Sequence, residues 1–281
     1  TQWDFIAMVD AAGIAWHEKT LGQLFCDGSA RQIIDMLMRA MIDAGVELRL
    51  QTEVTGIAKG QGYELILTSG RVTCGSLVIA TGGKSIPKMG ATGFGYRVAE
   101  QFGVPVTETR PGLVPLTFAG QDLGPIKALA GTSVFASVRC GDAAFDEGLL
   151  FTHRGLSGPS ILQISSYWRE GQSISVDLSP DFAIKPALAE ARGKSGRMAI
   201  ATALAAHLPK AVAQDAVARA GLTGNLADQS DKALDQLADA VHRWTLKPVG
   251  SEGYRTAEVT LGGVDTDALD AKTMQVKSVP G

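Results

Sequence analysis

The chain has 281 residues, 45% of them hydrophobic and 20% charged, with a formal net charge of -3. That length allows two domains, or one domain carrying an insertion, and the composition excludes a disordered chain. The acidic balance offers no basic field for a phosphate backbone, so nucleic acid is set aside as a partner and a small-molecule substrate is expected. Cys26, Cys74 and Cys140 show no C-x-x-C spacing. This excludes a disulfide framework and a zinc site, and the three read as reduced, buried thiols. No apolar run is long enough for a membrane span and no signal-peptide pattern opens the chain, so a soluble, cytoplasmic protein with no membrane partner is expected.

The chain opens inside a helical pattern (Trp3, Phe5, Ile6, Val9) and stops at Pro280-Gly281 without a terminating element, which reads as a truncated piece of a longer protein. Ser29 followed by Gln32 is a capping-box start. Ile33, Ile34, Leu37, Met38, Met41 and Ile42 then fall on one face of a helix expected to pack on a sheet and to stop at Gly45. Val46 to Leu50 alternates apolar and polar and predicts a strand. Further strands are predicted near 55–58, 63–67 and 71–74, the last two joined at Ser69-Gly70. Leu77 to Ala80 predicts a buried strand that breaks into Thr81, Gly82 and Gly83, where backbone can touch a ligand. A glycine turn with no ligand is the rival reading. A second cluster, Gly90 to Gly95, leads into a short helix closed by Gly103.

From Arg110 onward, prolines and glycines punctuate short extended runs at 112–118, 131–140, 148–152 and 173–178, which predict a small antiparallel β unit. Between Ser179 and Trp244 the chain turns alanine-rich, with helices predicted near 185–192, 197–208, 209–220 and 231–244; extended sequence returns at 245–264. The helices therefore read as an insert within the β unit.

His153 lies where an apolar strand runs into Gly155, Ser157, Gly158 and a helix with Pro159 at its first position. It is the catalytic candidate, as a proton donor near a helix amino end. Against this, it shows no carboxylate partner in sequence. Ser157 lacks the flanking glycines of a nucleophile elbow. His17, His207 and His242 have no metal-ligand spacing, so no metal is expected. Lys84 could neutralise a phosphate or face water, and the solvent reading is preferred. Gly262 and Gly263 read first as a bend and second as a cofactor-facing edge.

The segments Val78-Ile-Ala-Thr-Gly-Gly-Lys-Ser85, Gly90-Ala-Thr-Gly-Phe-Gly-Tyr96, Arg110-Pro-Gly-Leu-Val-Pro-Leu116, Phe151-Thr-His-Arg-Gly-Leu-Ser-Gly-Pro159 and Ala257-Glu-Val-Thr-Leu-Gly-Gly-Val264 together resemble the HI0933-like (YhiN/BaiN-type) FAD-dependent flavoprotein family. The resemblance implies an α/β plus α+β fold. Part of a Rossmann-type FAD domain (1–109) would be interrupted by a β-barrel-like unit (110–180 and 245–266) carrying a helical insert (181–244), with 267–281 returning to the FAD domain. It implies FAD as cofactor, with Ala80, Thr81, Gly82 and Gly83 as the inner binding turn, Val54 meeting adenine through its backbone, and Thr92, Gly93 and Gly95 in a loop approaching the cofactor. The family's G-x-G-x-x-G motif and its acidic ribose partner are missing from the chain, so weak or absent flavin binding is expected. The function implied is that of a fragment of an FAD-dependent oxidoreductase with a nicotinamide electron donor and unknown substrate. The alternative is a non-catalytic structural or substrate-recognition module without bound flavin. Flavin-dependent RNA modification is set aside on the acidic charge balance.

Overall fold

The computed structural model describes residues 1–281 and divides them into two units, Thr1–Gly75 and Ser76–Gly281. The first unit holds helix α1 (Gln2–Ala11), a short hairpin of β1 (Trp16–Glu18) and β2 (Leu24–Cys26), helix α2 (Arg31–Asp43) and a meander of β3 (Val54–Lys59), β4 (Tyr63–Leu67) and β5 (Gly70–Cys74). The Ser29 hydroxyl accepts the Arg31 N–H at 3.2 Å, which starts α2 one residue later than predicted. Its apolar stripe forms, but the expected packing does not: no residue of α2 is buried, and Ile34 and Ile42 are 59% and 69% exposed. Val46 to Leu50 is not a strand either. Left without a sheet neighbour, its backbone makes no ladder, and Arg49 instead pairs with Glu47 at 2.7 Å.

In the second unit, Leu77 to Ala80 forms no strand, and Val78 is 85% exposed, which corrects the buried strand expected there. Helix α3 (Phe94–Gln101) follows the second glycine cluster. Strand β6 (Arg110–Gly112) then pairs far along the chain with β14 (Val259–Leu261). Between these two strands lies the main body of the unit. It comprises β7 (Leu116–Thr117), α4 (Gly120–Ala128), β8 (Ser133–Cys140), β9 (Ala143–Phe151), β10 (Gly155–Ser157), α5 (Pro159–Ser165), β11 (Ile174–Asp177), helices α6 (Ile184–Ser195), α7 (Ile200–Leu204), α8 (Lys210–Arg219) and α9 (Asp231–His242), then β12 (Trp244–Leu246) and β13 (Gly250–Ser251).

Seven of these strands form one antiparallel sheet in the order β12-β11-β8-β9-β10-β7-β13. Its two outer strands are consecutive in the chain, joined only by Lys247, Pro248 and Val249. At about 3.5 Å per residue such a link forces the sheet to curl until its edges approach. They do not pair. Pro248 has no N–H, the Lys247 N–H donates to Asp122 Oδ2 (3.2 Å), and the Val249 N–H donates to the Thr117 carbonyl (2.9 Å). The expected barrel is thus curled but not closed. The coarse expectation of mixed α and β structure stands; all strand pairings are antiparallel, so none is the parallel pairing of a Rossmann-type sheet.

The core fills this curl and continues into the helices, through Ile126, Val138, Phe151, Ile161, Ile164, Val176, Leu188, Leu204, Val212 and Leu237. Strands β11 and β12 are antiparallel neighbours, Val176 opposite Trp244, so helices α6 to α9 all lie within one hairpin. At its neck His242 Nδ1 lies 2.9 Å from Asp177 Oδ1 while the Ile184 N–H donates to His242 Nε2 (3.4 Å). That donor fixes the tautomer with hydrogen on Nδ1. Of the cysteines only Cys140 is buried, and burial pushes its thiol pKa up; Cys26 and Cys74 are half-exposed, which corrects the expectation of three buried thiols. No helix is long and apolar enough to cross a membrane.

Candidate functional site

The glycine turn at the end of Leu77–Ala80 is locked by residues that arrive from the far end of the chain. Thr260, on β14, accepts the N–H groups of Lys84 (2.8 Å) and Ser85 (3.1 Å) on its hydroxyl, which also lies 3.0 Å from the Ser85 hydroxyl. The Ile86 N–H donates to the Tyr254 carbonyl at 2.9 Å. A Cβ on Gly83 would collide with the Thr260 side chain and lie 3.1 Å from the Tyr96 hydroxyl. Gly83 is therefore glycine because protein covers it. Gly82 differs: its φ is +70°, and nothing lies within 4 Å of where its Cβ would be. Its open face is where a ligand could approach backbone.

The second glycine cluster joins the same place. A Cβ on Gly95 would sit 2.9 Å from Thr81 Oγ1, and one on Gly93 would sit 3.3 Å from the Lys84 side chain. A Cβ on Gly263 would lie 3.4 Å from the Tyr96 ring, so Tyr96 lines the space beside both double-glycine elements. Burial, and then the neighbouring Tyr254, holds the Tyr96 hydroxyl above its ordinary pKa, so it stays a neutral donor. Thr81, Gly82, Gly83, Gly93 and Gly95 are thus brought together, with exposed Ala80 leading into the turn; Thr92 contributes its carbonyl to Arg97 at 3.1 Å. Val54 lies in the first unit, opposite Leu67, next to a β-bulge. Lys84 does not face water, as had been preferred: its Nζ donates to Thr109 Oγ1 at 2.8 Å between the rings of Tyr96 and Tyr254.

His153 is exposed in the tight turn between β9 and β10, which the Thr152 hydroxyl pins to the Gly155 carbonyl at 2.9 Å. It has no carboxylate partner. The neighbouring Arg154 pairs with Glu252 at 3.6 Å, two residues before Tyr254, and so ties the His153 turn to the loop that flanks Lys84. The residues sequence reasoning missed are Thr260, Tyr96 and Tyr254. Thr260 stood inside the Val-Thr-Leu-Gly-Gly run, but no spacing rule links it to a turn 175 residues away. Thr260→Val should leave two backbone N–H groups unpaired and cost about 1–3 kcal/mol in denaturant unfolding; an unchanged midpoint would show that water replaces the hydroxyl.

A cavity of about 670 Å³ opens in the first unit among Lys59, Gln61, Tyr63, Glu64 and Cys74, and contains none of these residues. No cluster of metal-ligating side chains exists. The groups around the glycine turn fit a flavin: an open backbone face at Gly82, an exposed apolar approach at Val78 and Ile79, and neutral hydroxyls rather than carboxylates.

Comparison with known proteins gives this site a context. The family described as HI0933-like protein barrel and H2TH domain matches residues 110–259. A ribosomal RNA dihydrouridine synthase of Escherichia coli (strain K12) is 49% identical over 288 aligned positions, which span 100% of this chain and 71% of that protein. One of Haemophilus influenzae is 40% identical over 289 positions, spanning 100% and 72%. These matches correct several expectations. The relatives are named for making a modified nucleoside of ribosomal RNA, so the FAD-dependent oxidoreductase fragment of unknown substrate falls, as does the non-catalytic module. The FAD-flavoprotein label for the family is replaced by that of the barrel and H2TH domain. The exclusion of nucleic acid falls too, because a net charge of -3 sums over the whole surface and is silent about any local basic face. The chain belongs to the HI0933-like family and is homologous over its whole length to ribosomal RNA dihydrouridine synthases.

Proposed function

We propose that this protein reduces uridine in ribosomal RNA to dihydrouridine. The observation that carries the reading is 49% identity across the whole chain to a protein of that name, supported by a glycine turn with one open backbone face. The reaction saturates the C5=C6 bond of uracil with one hydride and one proton. A bound flavin supplies the hydride chemistry, and FAD is the finer reading, with a nicotinamide as electron donor. Gly82 offers its open backbone to the flavin, within the turn Ala80, Thr81, Gly82 and Gly83 and beside the loop of Thr92, Gly93 and Gly95 that packs against that turn. Residues 1–109 are then assigned to the cofactor domain, 110–180 with 245–266 to the barrel-like part, 181–244 to the helical insert and 267–281 to the return. A cytoplasmic location is consistent with ribosomal RNA as substrate.

His153 is the proposed proton donor: it is exposed and unpaired, and its turn is tied to the Tyr254 loop. His153→Ala should lower kcat about 100-fold, the usual weight of a general acid, with flavin content unchanged. Turnover equal to the parent would remove it from the site. The function itself is tested by incubating unmodified ribosomal RNA with the protein, flavin and a reduced nicotinamide, then digesting the RNA and looking by mass spectrometry for uridine that has gained two hydrogens. If none forms, the proposal is wrong.

A further inference from the structure

Lys84 is half-buried and has no carboxylate within ion-pair distance. Its ammonium is met by one hydroxyl, Thr109 Oγ1 at 2.8 Å, and by the rings of Tyr96 and Tyr254, with centroids 5.6 and 5.8 Å away. Its backbone N–H is held by Thr260 and its methylenes pack against Gly93. One residue thus touches the glycine turn, the start of α3, the strand leading to β6 and the return loop. The hydroxyl and the two rings together give this charge a defined direction. A methionine would fill the same space at no desolvation cost.

We propose that Lys84 is a positioning residue that clamps Tyr96 and Tyr254 against the glycine turn and so fixes the open Gly82 face for flavin. The clamp rests on the flavin reading above for its purpose, but not for its geometry. Cation–π attraction to two rings and a directed hydrogen bond to Thr109 define one orientation, which an apolar stem cannot do. An arginine retains both, since its guanidinium donates to hydroxyls and lies against aromatic faces.

The test titrates FAD and FMN into the full chain by fluorescence, for the parent, Lys84→Met and Lys84→Arg, alongside amide hydrogen exchange of Lys84 and Ser85 without flavin. Weakening of at least tenfold in Lys84→Met, largely recovered in Lys84→Arg, supports the clamp, with about tenfold faster exchange in the Met variant. A space-filling lysine predicts the reverse order, Met better than Arg, and that order overturns the proposal, as does unaltered exchange in Lys84→Met. If the parent takes up no flavin, the flavin reading falls, while the exchange measurement still decides whether Lys84 holds the turn.

Discussion

Replacing Gly262 with alanine should destabilise the second unit by about 2–5 kcal/mol. Gly262 has φ +74°, and a Cβ there would run into the backbone carbonyl of Glu108, with Thr107 Oγ1 at 3.3 Å behind it. Backbone cannot rotate aside as a side chain can. Moving the carbonyl would disturb the neighbouring bonds between the Thr107 N–H and the Gly263 carbonyl (2.7 Å) and between the Gly263 N–H and the Thr107 hydroxyl (3.1 Å). These bonds hold β14 in register, and β14 carries Thr260. Gly253→Ala is the matched control: it has nearly the same φ, +73°, but nothing lies within 4 Å of its missing Cβ. The control should cost about 1–2 kcal/mol, the left-handed conformation alone. Denaturant midpoints that coincide for the two variants would show that crowding at Glu108 does not matter.

The second large effect concerns Arg219, at the end of α8. Its Nε donates to Asp215 at 2.7 Å, its Nη1 donates to the Ala240 carbonyl at 2.7 Å, and its guanidinium lies 3.9 Å from the Trp244 ring centroid. Both charged side chains are largely sheltered, 17% and 15% exposed. Trp244 in turn stacks on Phe151 in the core of the sheet. Arg219→Ala removes the link between two helices and β12 and strands Asp215, for an expected cost of about 3–4 kcal/mol in thermal or denaturant unfolding. The double variant with Asp215→Asn should cost less than the sum of the singles, by about 1–2 kcal/mol. Strict additivity would mean the ion pair contributes nothing beyond packing.

Elements with strong local signals were legible in the sequence. The Ser69-Gly70 turn joins β4 to β5, Pro159 starts α5, and α6, α8 and α9 lie within a few residues of their predicted spans. Local chemistry decides such elements before any tertiary contact forms. Helix α4 was missed because Gly120, Gly124 and Pro125 argue against a helix, and only the burial of Ile126 in the core overrides them. Val46–Leu50 and Leu77–Ala80 failed for the opposite reason: an apolar pattern states a capacity to be covered, and coverage depends on a neighbour. At the site, the two glycine clusters were visible as motifs. Their union was not, because it depends on Thr260 and Tyr254, which come only after the inserted sheet in the chain. The error about RNA had a different origin, an average taken over 281 residues where a local face was in question.

The neck of the helical insert has a consequence for how such a protein can change. Asp177 ends β11 and Trp244 begins the strand beside it, so the chain leaves and re-enters the sheet between hydrogen-bonded neighbours only about 5 Å apart. Whatever lies between those points closes a loop whose ends are already together, and the entropy of closure grows only with the logarithm of its length. Helices there can lengthen, shorten or be exchanged while the sheet keeps its register, provided the His242–Asp177 clasp and the seat of Arg219 on Trp244 survive. The glycine turn, fastened to Thr260 on β14 and to the Tyr254 loop, has no such freedom. One fold thus separates a part free to diversify from a part that must stay as it is.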